Sequence, residues 1–281
     1  MIDGRLAPAR GGTTVDAVDD KPAWIDLDGA VNVRDLGGVT AVDGRVVRAH
    51  RLIRADNLQD LSGDDVDRLL GEYEVRRIVD LRTDVERRSE GPAPLAGHPR
   101  VDIQPLSLFV EPDDVQLVNG TAGPEVLPWQ SVPASDETRT EAVESYLAFL
   151  AQRPDNVLTA LRTIAQQPGA TIVHCAAGKD RTGVVVALAL GAVGVPEDRI
   201  VADYGRSAER IERIVARLVA SATYADDMDS GTLDHHRPQP ASMQRFLTTV
   251  GQRFGGVAGW LAARGWTAND QRALERALFE A

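Results

Sequence analysis

Short apolar runs alternate with amphipathic segments along most of this 281-residue chain. Four stretches have the apolar runs or period-two alternation of strands: 44–55 (GRVVRAHRLIRA), 74–82 (EVRRIVDLR), 101–108 (VDIQPLSL) and 169–175 (GATIVHC). Helical periodicity marks other stretches: 61–73, 141–150, 156–167, about 182–193 and 196–223, before two amphipathic segments that close the chain. Strands that alternate with helices predict an α/β fold with a central, mostly parallel sheet flanked by helices.

Two of the predicted helices carry further information. Ser62 lies at the N-cap position of the first, and acidic residues fill the first turn after it. The helix from Thr182 to about Val193 is apolar on nearly all sides. A helix of that kind is buried, so we expect it at the centre of the molecule.

Two segments lack periodicity. Residues 1–22 are rich in Gly, Asp, Ala and Arg and predict a flexible N-terminal arm. Residues 111–140 are rich in Pro, Gly and acidic residues. A loop of that length is uncommon in a compact domain, which indicates a lid, an insertion or a mobile segment. No linker or internal repeat divides the remainder, so we expect a single domain over 23–281.

The composition is that of a globular protein. Hydrophobic residues make up 43% and charged residues 26% of the chain. The net charge of −11 argues against nucleic-acid or anionic-membrane binding, which needs a basic surface, but it permits a small basic pocket. The N-terminus has no apolar h-region, and the longest apolar run, Val184 to Val193, is too short to span a bilayer. We expect no stable membrane insertion, and a cytoplasmic location or secretion without a classical signal peptide.

The chain holds a single cysteine, Cys175, so no internal disulfide can form. It lies in the run HCAAGKDRTG, which also contains one of only two lysines, Lys179. The run predicts a strand, a tight turn and a helix start, whose backbone N–H groups would cradle an anion. Positive potential of this kind lowers the pKa of a thiol and favours the nucleophilic thiolate.

Two further residues of this run suit phosphoryl transfer. Gly178 lets the backbone turn sharply around an anion. Arg181 can hold a phosphoryl group through two parallel hydrogen bonds, a geometry that lysine cannot reproduce. A nucleophile, an anion cradle and a guanidinium together fit displacement at phosphorus through a phosphocysteine intermediate.

The pattern His-Cys, five residues, Arg, Thr-Gly resembles the phosphate loop of protein tyrosine phosphatases and their dual-specificity relatives. The fuller string HCAAGKDRTG resembles a bacterial branch that includes secreted mycobacterial members. Other blocks match that branch in the same order: NVRDLGG (32–38), RLIRADNLQDL (51–61), IVDLRTDVERRSEGP (78–92) and IVADYGRSAERI (200–211). The resemblance spans roughly residues 24–280 and implies a tyrosine phosphatase-like fold.

The resemblance also implies roles. Cys175 would be the nucleophile and Arg181 the phosphate clamp. Thr182 would assist departure of the cysteine thiolate in the second step, and His174 would order the loop by hydrogen bonding. Backbone N–H groups would bind the phosphoryl oxygens at six positions: Ala176, Ala177, Gly178, Lys179, Asp180 and Arg181. Asn32, Arg34 and Asp35 are expected to form a structural hydrogen-bond network.

The general acid, which protonates the leaving oxygen, has two candidates. Asp80 comes first, because it ends a predicted strand and the family's acid is assigned in the matching Asp-Leu-Arg block. Its alternative role is a structural carboxylate that is paired with Arg82 or caps a turn. Asp180 is the second candidate. It lies inside the loop, where phosphate repels its charge unless it is protonated or paired with Lys179 or Arg181.

The bacterial branch is associated with phosphotyrosine, phosphoserine/threonine and phosphoinositide substrates. The expected partners are therefore phosphoproteins or phosphopeptides, with phosphoinositides allowed because Lys179 adds a second cation to the pocket. No metal and no other cofactor is expected. The branch also covers its active site with a two-helix lid, which would correspond here to about residues 203–250.

Three other functions are weighed against this one. A pseudophosphatase that binds phosphate without hydrolysing it is the main alternative, although such a module would not need Cys175, Arg181 and Thr182 together. An arsenate reductase could use a similar loop but usually needs further cysteines to resolve the thiol adduct. A metal-dependent hydrolase would lose its activity in chelator, whereas cysteine chemistry would not.

Overall fold

The computed structural model describes residues 23–111, 138–225 and 233–280. A six-stranded sheet forms its centre, in the spatial order β1-β2-β3-β6-β4-β5. The strands are β1 Ala23–Trp24, β2 Arg34–Asp35, β3 Leu52–Ala55, β4 Val75–Asp80, β5 Asp102–Pro105 and β6 Ala170–His174. The first three pair antiparallel, and β3, β6, β4 and β5 are parallel. The predicted α/β fold with a mostly parallel sheet is confirmed.

Helices cover both faces of this sheet. They are α1 Gly63–Gly71, α2 Asp84–Glu90, α3 Thr138–Gln152, α4 Pro154–Ile164, α5 Asp180–Ala192, α6 Glu197–Gly205, α7 Ile211–Ala220, α8 Leu233–His236, α9 Pro240–Phe254, α10 Val257–Ala263 and α11 Ala268–Phe279. The predicted N-cap of α1 is confirmed, because the Ser62 side chain accepts from the Asp65 N–H and the Asp65 carboxylate accepts from the Ser62 N–H. Among the described residues, none of the helices is both long and apolar enough to cross a bilayer.

Side chains alternate between the two faces of the sheet and enter two separate cores. Leu52, Val79 and Val173 enter the larger core, which α5 and the C-terminal helices complete. Ile53, Ile78 and Ile172 enter the smaller one, under α1 and the N-terminal loops. All residues of α5 from Arg181 to Leu190 are buried, which confirms its predicted central position.

The structure divides two regions that the sequence pattern leaves continuous. The predicted helical region 196–223 consists of α6, a 3-10 turn at Arg206–Arg210 and α7. The closing segments form three helices rather than two, because Gly255 and Gly256 adopt φ values of 74° and 99° that end α9. Within the predicted lid of 203–250, α9 packs into the larger core through Met243 and Phe246.

Several predictions concern residues outside the described part of the chain. The N-terminal arm, 1–22, lies outside it entirely. So does most of the predicted loop 111–140, of which Glu111 and the start of α3 at Thr138 are described.

Asp35 in β2 accepts hydrogen bonds from the backbone N–H groups of Gly37 at 2.9 Å and His50 at 2.7 Å.

Candidate active site

The lone cysteine follows β6 directly, where the chain passes through a loop, residues 175–179, into α5. We call residues 175–181 the phosphate loop. It emerges at the carboxyl edge of the parallel strands, where open α/β sheets bind their ligands. Gly178 has a φ of 65°, and a Cβ there would lie 2.4 Å from the Ala55 carbonyl oxygen. The close approach and the positive φ together require glycine at this position.

Outward hydrogen bonds hold the backbone of the phosphate loop. Four successive carbonyl oxygens accept from donors outside it: Ala176 O from the Asn57 N–H at 3.0 Å, Ala177 O from Asn32 Nδ2 at 2.9 Å, and Gly178 O and Lys179 O from Arg54 Nη2 at 2.8 and 3.3 Å. Carbonyl groups fixed toward the protein leave the concave side of the loop to its N–H groups. Successive backbone N–H groups in such an arrangement can form an anion-binding nest.

Beneath the phosphate loop lies a buried network of charged and polar side chains. Asp203 pairs with Arg34 at 2.8 Å and with Arg54 at 2.5 Å. Burial raises the pKa of Asp203, but the two arginines outweigh it and hold that pKa below its usual value. The Asn32 side chain accepts from Arg34 at 2.9 Å and donates to Ser207 at 3.2 Å. The predicted hydrogen-bond network of Asn32 and Arg34 is present, and it joins α6 to the phosphate loop.

A buried carboxylate that the sequence analysis missed holds the Arg181 side chain. Glu86, at 0% exposure, accepts from Arg181 at 2.6 and 2.8 Å through its two oxygens. Burial raises the pKa of Glu86, but Arg181 outweighs it and lowers the net value. The sequence signal for Glu86 is its capping box with Thr83 at the start of α2, which indicates a helix cap rather than a site.

Asp80 and His174 lie side by side in the protein interior. Both Asp80 oxygens contact Arg82, at 3.0 and 2.7 Å. Burial raises the pKa of Asp80, but the charges of His174 and Arg82 and the hydrogen bonds of Arg82 lower it to about 2. Since burial lowers the pKa of His174 to about 4, that ring is neutral at pH 7, and Arg82 is the partner that keeps Asp80 ionised. His174 Nδ1 lies 3.3 Å from the Cys175 carbonyl oxygen, and Nε2 lies 3.5 Å from Asp80 Oδ1.

Asp180, the first residue of α5, occupies a different environment. Its Oδ1 accepts from the hydroxyls of Tyr146 and Tyr204, the latter at 3.2 Å. Its Oδ2 lies 3.4 Å from Lys179 Nζ, and its side chain is 41% exposed. Lys179 Nζ also donates to the His236 carbonyl at 2.7 Å. Asp180 is therefore held on one side and open to solvent on the other.

Thr182 stands out among the buried polar groups near the phosphate loop. Its side chain is wholly buried, and its hydroxyl has no hydrogen-bond partner in the described part of the chain. A buried hydroxyl without a partner is costly, so native proteins retain one where it has a use. Thr182 follows Arg181 at the start of α5, one turn from the loop that carries Cys175.

The segment after α7 covers part of the phosphate loop. Tyr224 packs on Ala176, with Leu218 of α7 at the edge of the same cluster. The Tyr224 hydroxyl donates to Glu86 at 3.0 Å. Arg217 pairs with Asp56, in the loop after β3, at 2.5 Å. We call residues 211–225 the cover, and these contacts attach it to the site.

Across the described ranges, no group of three or more His, Cys, Asp or Glu side chains is arranged to hold a metal ion. The site consists instead of one thiol, one nest of backbone N–H groups and several buried ion pairs. All of the predicted site residues except Asp80 lie in the phosphate loop or directly beside it in the sequence. The 78–92 block lies against it, since Arg181 donates to the Leu81 carbonyl at 3.2 Å.

Comparison with known proteins agrees with this site. The model of a tyrosine phosphatase family matches residues 25–280. A tyrosine-protein phosphatase of Nostoc commune is 28% identical over 98% of this chain and 91% of its own length. A triple specificity protein phosphatase of Mycobacterium tuberculosis, PtpB, is 30% identical over 69% of this chain and 72% of its own length. Since the family model covers nearly the whole chain, this protein belongs to the tyrosine phosphatase family of enzymes.

Proposed function

We propose that Cys175 attacks the phosphorus of a phosphomonoester and forms a phosphocysteine intermediate. The observation that carries the proposal is the phosphate loop itself: a lone cysteine, carbonyl groups fixed outward, and an arginine fixed by a buried carboxylate. N–H groups at the start of α5 add positive potential, which favours the thiolate. Arg181 and the N–H groups of residues 176–181 then bind the charge that develops on the phosphoryl oxygens.

The reaction takes two displacements. In the first, the Cys175 thiolate forms a bond to phosphorus, and the bond from phosphorus to the leaving oxygen breaks. The leaving oxygen keeps the electron pair and receives a proton from an acid. In the second, the deprotonated acid takes a proton from a water molecule, and the oxygen of that water attacks phosphorus. The bond from phosphorus to sulfur breaks, its electron pair stays on sulfur as the thiolate, and inorganic phosphate departs. Thr182, whose buried hydroxyl is unpaired among the described residues, donates a hydrogen bond to the departing thiolate.

We assign the acid to Asp180 rather than to Asp80. Arg82 occupies both oxygens of Asp80, and the pKa of Asp80 is about 2, so it carries no proton at neutral pH. Asp180 belongs to the phosphate loop, and its side chain is 41% exposed, so it can exchange a proton with solvent. Asp80 then has the alternative role that the sequence leaves for it, a structural carboxylate. With Arg82 it packs against His174, whose ring links this carboxylate to the Cys175 carbonyl at the start of the loop.

The proposed substrates are phosphotyrosine peptides first, and phosphoserine, phosphothreonine and phosphoinositides in addition. One relative is named a triple specificity protein phosphatase, which supports a broad range. Because the Ala176 side chain is small, Tyr224, which packs on it, forms part of the wall of the pocket. Lys179 places an ammonium group beside Asp180, where it can contact a second phosphate.

We further propose that the cover is the lid, and that the lid is shorter than the predicted 203–250. Arg217 pairs with Asp56, and Tyr224 contacts Ala176 and Glu86, through side-chain contacts that can separate. The helix α9, by contrast, contributes Met243, Phe246, Leu247 and Val250 to the core and would have to leave it to move. Lid motion therefore ends before α9.

The experiment is an assay of phosphate release in the presence of chelator. The panel contains phosphotyrosine, phosphoserine and phosphothreonine peptides and phosphoinositides, with wild type and Cys175→Ser compared. Loss of all activity in Cys175→Ser, with wild type unaffected by chelator, is the expected result. Wild type that binds phosphopeptides but releases no phosphate would favour the pseudophosphatase alternative, and loss of activity in chelator would indicate a metal-dependent hydrolase.

A further inference from the structure

Two buried tyrosines from different helices meet at one oxygen of Asp180. Tyr146 belongs to α3 and Tyr204 to α6, and each is 2% exposed. Their hydroxyls lie 2.8 Å apart, and both contact Asp180 Oδ1. Two hydroxyl protons serve these three contacts. One of the two protons is therefore shared between two acceptors.

Packing alone does not explain these hydroxyl groups. The Tyr146 ring stacks on Phe149 and meets Phe246 edge to face, so phenylalanine serves in the same core. Burying a hydroxyl is unfavourable unless it is hydrogen-bonded, and here both hydroxyls have the same carboxylate as their partner. The two hydroxyl groups are therefore explained by their hydrogen bonds with Asp180.

The arrangement makes the two oxygens of Asp180 unequal. Oδ1 faces hydrogen-bond donors, so the proton of the neutral acid belongs on Oδ2. Oδ2 lies on the side of Lys179, on a side chain that is 41% exposed. Burial and the charge of Asp180 raise the pKa of both phenols far above the usual value, so they remain donors throughout the working pH range.

We propose that Tyr146 and Tyr204 are positioning residues for the general acid: they fix Oδ1 of Asp180 so that Oδ2 delivers the proton to the leaving oxygen. The inference rests on the proposed role of Asp180. As the bond from phosphorus to the leaving oxygen breaks, its electron pair stays on that oxygen, which takes the proton from Oδ2. Asp180 becomes a carboxylate, and the two hydroxyls stabilise the charge that forms.

The test is the dependence of kcat/KM on the leaving group. Phenyl phosphate has a poor leaving group that needs the acid, whereas 4-nitrophenyl phosphate has a good one that needs it little. For Tyr146→Phe and Tyr204→Phe we expect about a tenfold loss on phenyl phosphate, and about a hundredfold loss for the double variant, within the range that general acids supply. We expect little change on 4-nitrophenyl phosphate. Equal losses on both substrates, or none, would overturn the proposal.

Two controls separate this proposal from the one it rests on. Asp180→Asn should show the same selective loss on phenyl phosphate. If it does not, the assignment of the acid fails. If it does while both tyrosine variants behave like wild type, only the positioning role fails. Tyr73→Phe removes a hydroxyl at the end of α1, beside Arg68, and should change neither rate. Rates are divided by the concentration of folded protein, measured by circular dichroism. If the double variant does not fold, either single variant tests the proposal.

Discussion

Single residues in this site are held by buried pairs of arginine and carboxylate. Arg181 with Glu86, Arg82 with Asp80, and Arg54 with Asp203 each have partners within 2.8 Å. Removing one member of such a pair leaves an uncompensated buried charge, which costs about 3–5 kcal/mol. The planar guanidinium suits these positions: Arg181 and Arg82 each form two hydrogen bonds with one carboxylate, and Arg54 bonds both Asp203 and the loop carbonyls. Arg181 must also present donors to phosphate, so its geometry matters for activity as well as for stability.

Arg181→Lys tests the geometry of the clamp while keeping its charge. Lysine has a single ammonium group, so it cannot form two parallel hydrogen bonds with Glu86 and contact phosphate at the same time. We expect kcat/KM for a phosphotyrosine peptide to fall by about 10²- to 10³-fold, the range seen when one donor to a developing oxyanion is lost. Steady-state kinetics measures it, and Arg213→Lys, on the exposed face of α7, is the matched control. Activity within a few-fold of wild type would contradict the role of Arg181.

His174 should make stability depend on pH. Burial lowers its pKa to about 4, against an ordinary value of 6.5. Above pH 6.5 the ring is neutral in both the folded and the unfolded chain, and its contribution is complete. As the pH falls toward 4, the unfolded chain takes up the proton first, so stability falls by up to about 3 kcal/mol.

Urea unfolding of wild type and His174→Gln between pH 7 and pH 4 measures this contribution. The difference between their free energies of unfolding should shrink across that interval, because glutamine does not titrate. Parallel pH profiles for the two proteins would show that His174 is not buried in its neutral form. Asp80 contributes at lower pH, since its pKa of about 2 places its loss of stability below pH 3.8.

At the scale of elements, the contact between α5 and α6 sets the position of Tyr204. A Cβ on Gly183 would lie 2.9 Å from Tyr204 Cδ2. Glycine in a helix interior lowers helix stability, and here it permits the close approach of the tyrosine ring. The same approach brings the Tyr204 hydroxyl to Asp180.

Gly183→Ala should therefore damage both stability and activity. We expect a loss of about 1–3 kcal/mol in the free energy of unfolding from overpacking, and a several-fold fall in kcat/KM on phenyl phosphate as the Tyr204 ring moves. The matched control is Gly191→Ala in the same helix, where a Cβ would meet Val257 Cγ2 at the same 2.9 Å. Both variants should lose stability and only Gly183→Ala should lose activity. Equal activities would contradict a link from α5 to the acid.

The sequence predicts elements well where one pattern governs a segment. The strand β6, the phosphate loop and α5 are contiguous, so periodicity and residue types reveal them together. The break at Arg206–Arg210 is harder to predict. It places the Ser207 hydroxyl against Asn32 and Arg34, residues far away in the chain, and helical periodicity contains no information about that contact.

At the scale of the whole molecule, the site is assembled from distant segments. Glu86, Tyr146, Tyr204 and Tyr224 all contact the phosphate loop or its partners, yet each is typical of a helix cap or a core position in the sequence. Their roles follow only from the way α2, α3, α6 and the cover pack around α5. The lone cysteine and its arginine could be predicted from sequence because they share one loop.

Access to the Cys175 thiol should depend on how firmly the cover is held in place. Arg217 joins it to Asp56 at 2.5 Å and to Asp60 at 2.9 Å. We expect Arg217→Ala to loosen the cover and to raise the rate at which iodoacetamide alkylates Cys175 by several-fold, since opening precedes reaction of a buried thiol. Arg213→Ala, an exposed arginine of the same helix, should leave the rate unchanged. Equal rates in the two variants would show that the cover does not control access.

The most direct test of the cysteine mechanism is to trap the intermediate. Wild type is mixed with a phosphotyrosine peptide, quenched in acid within its first turnover, digested and analysed by mass spectrometry. We expect one phosphoryl group on the peptide that contains Cys175, bound to sulfur, and none there in Cys175→Ser. Turnover without a phosphorylated Cys175, or with the phosphoryl group on another residue, would contradict it.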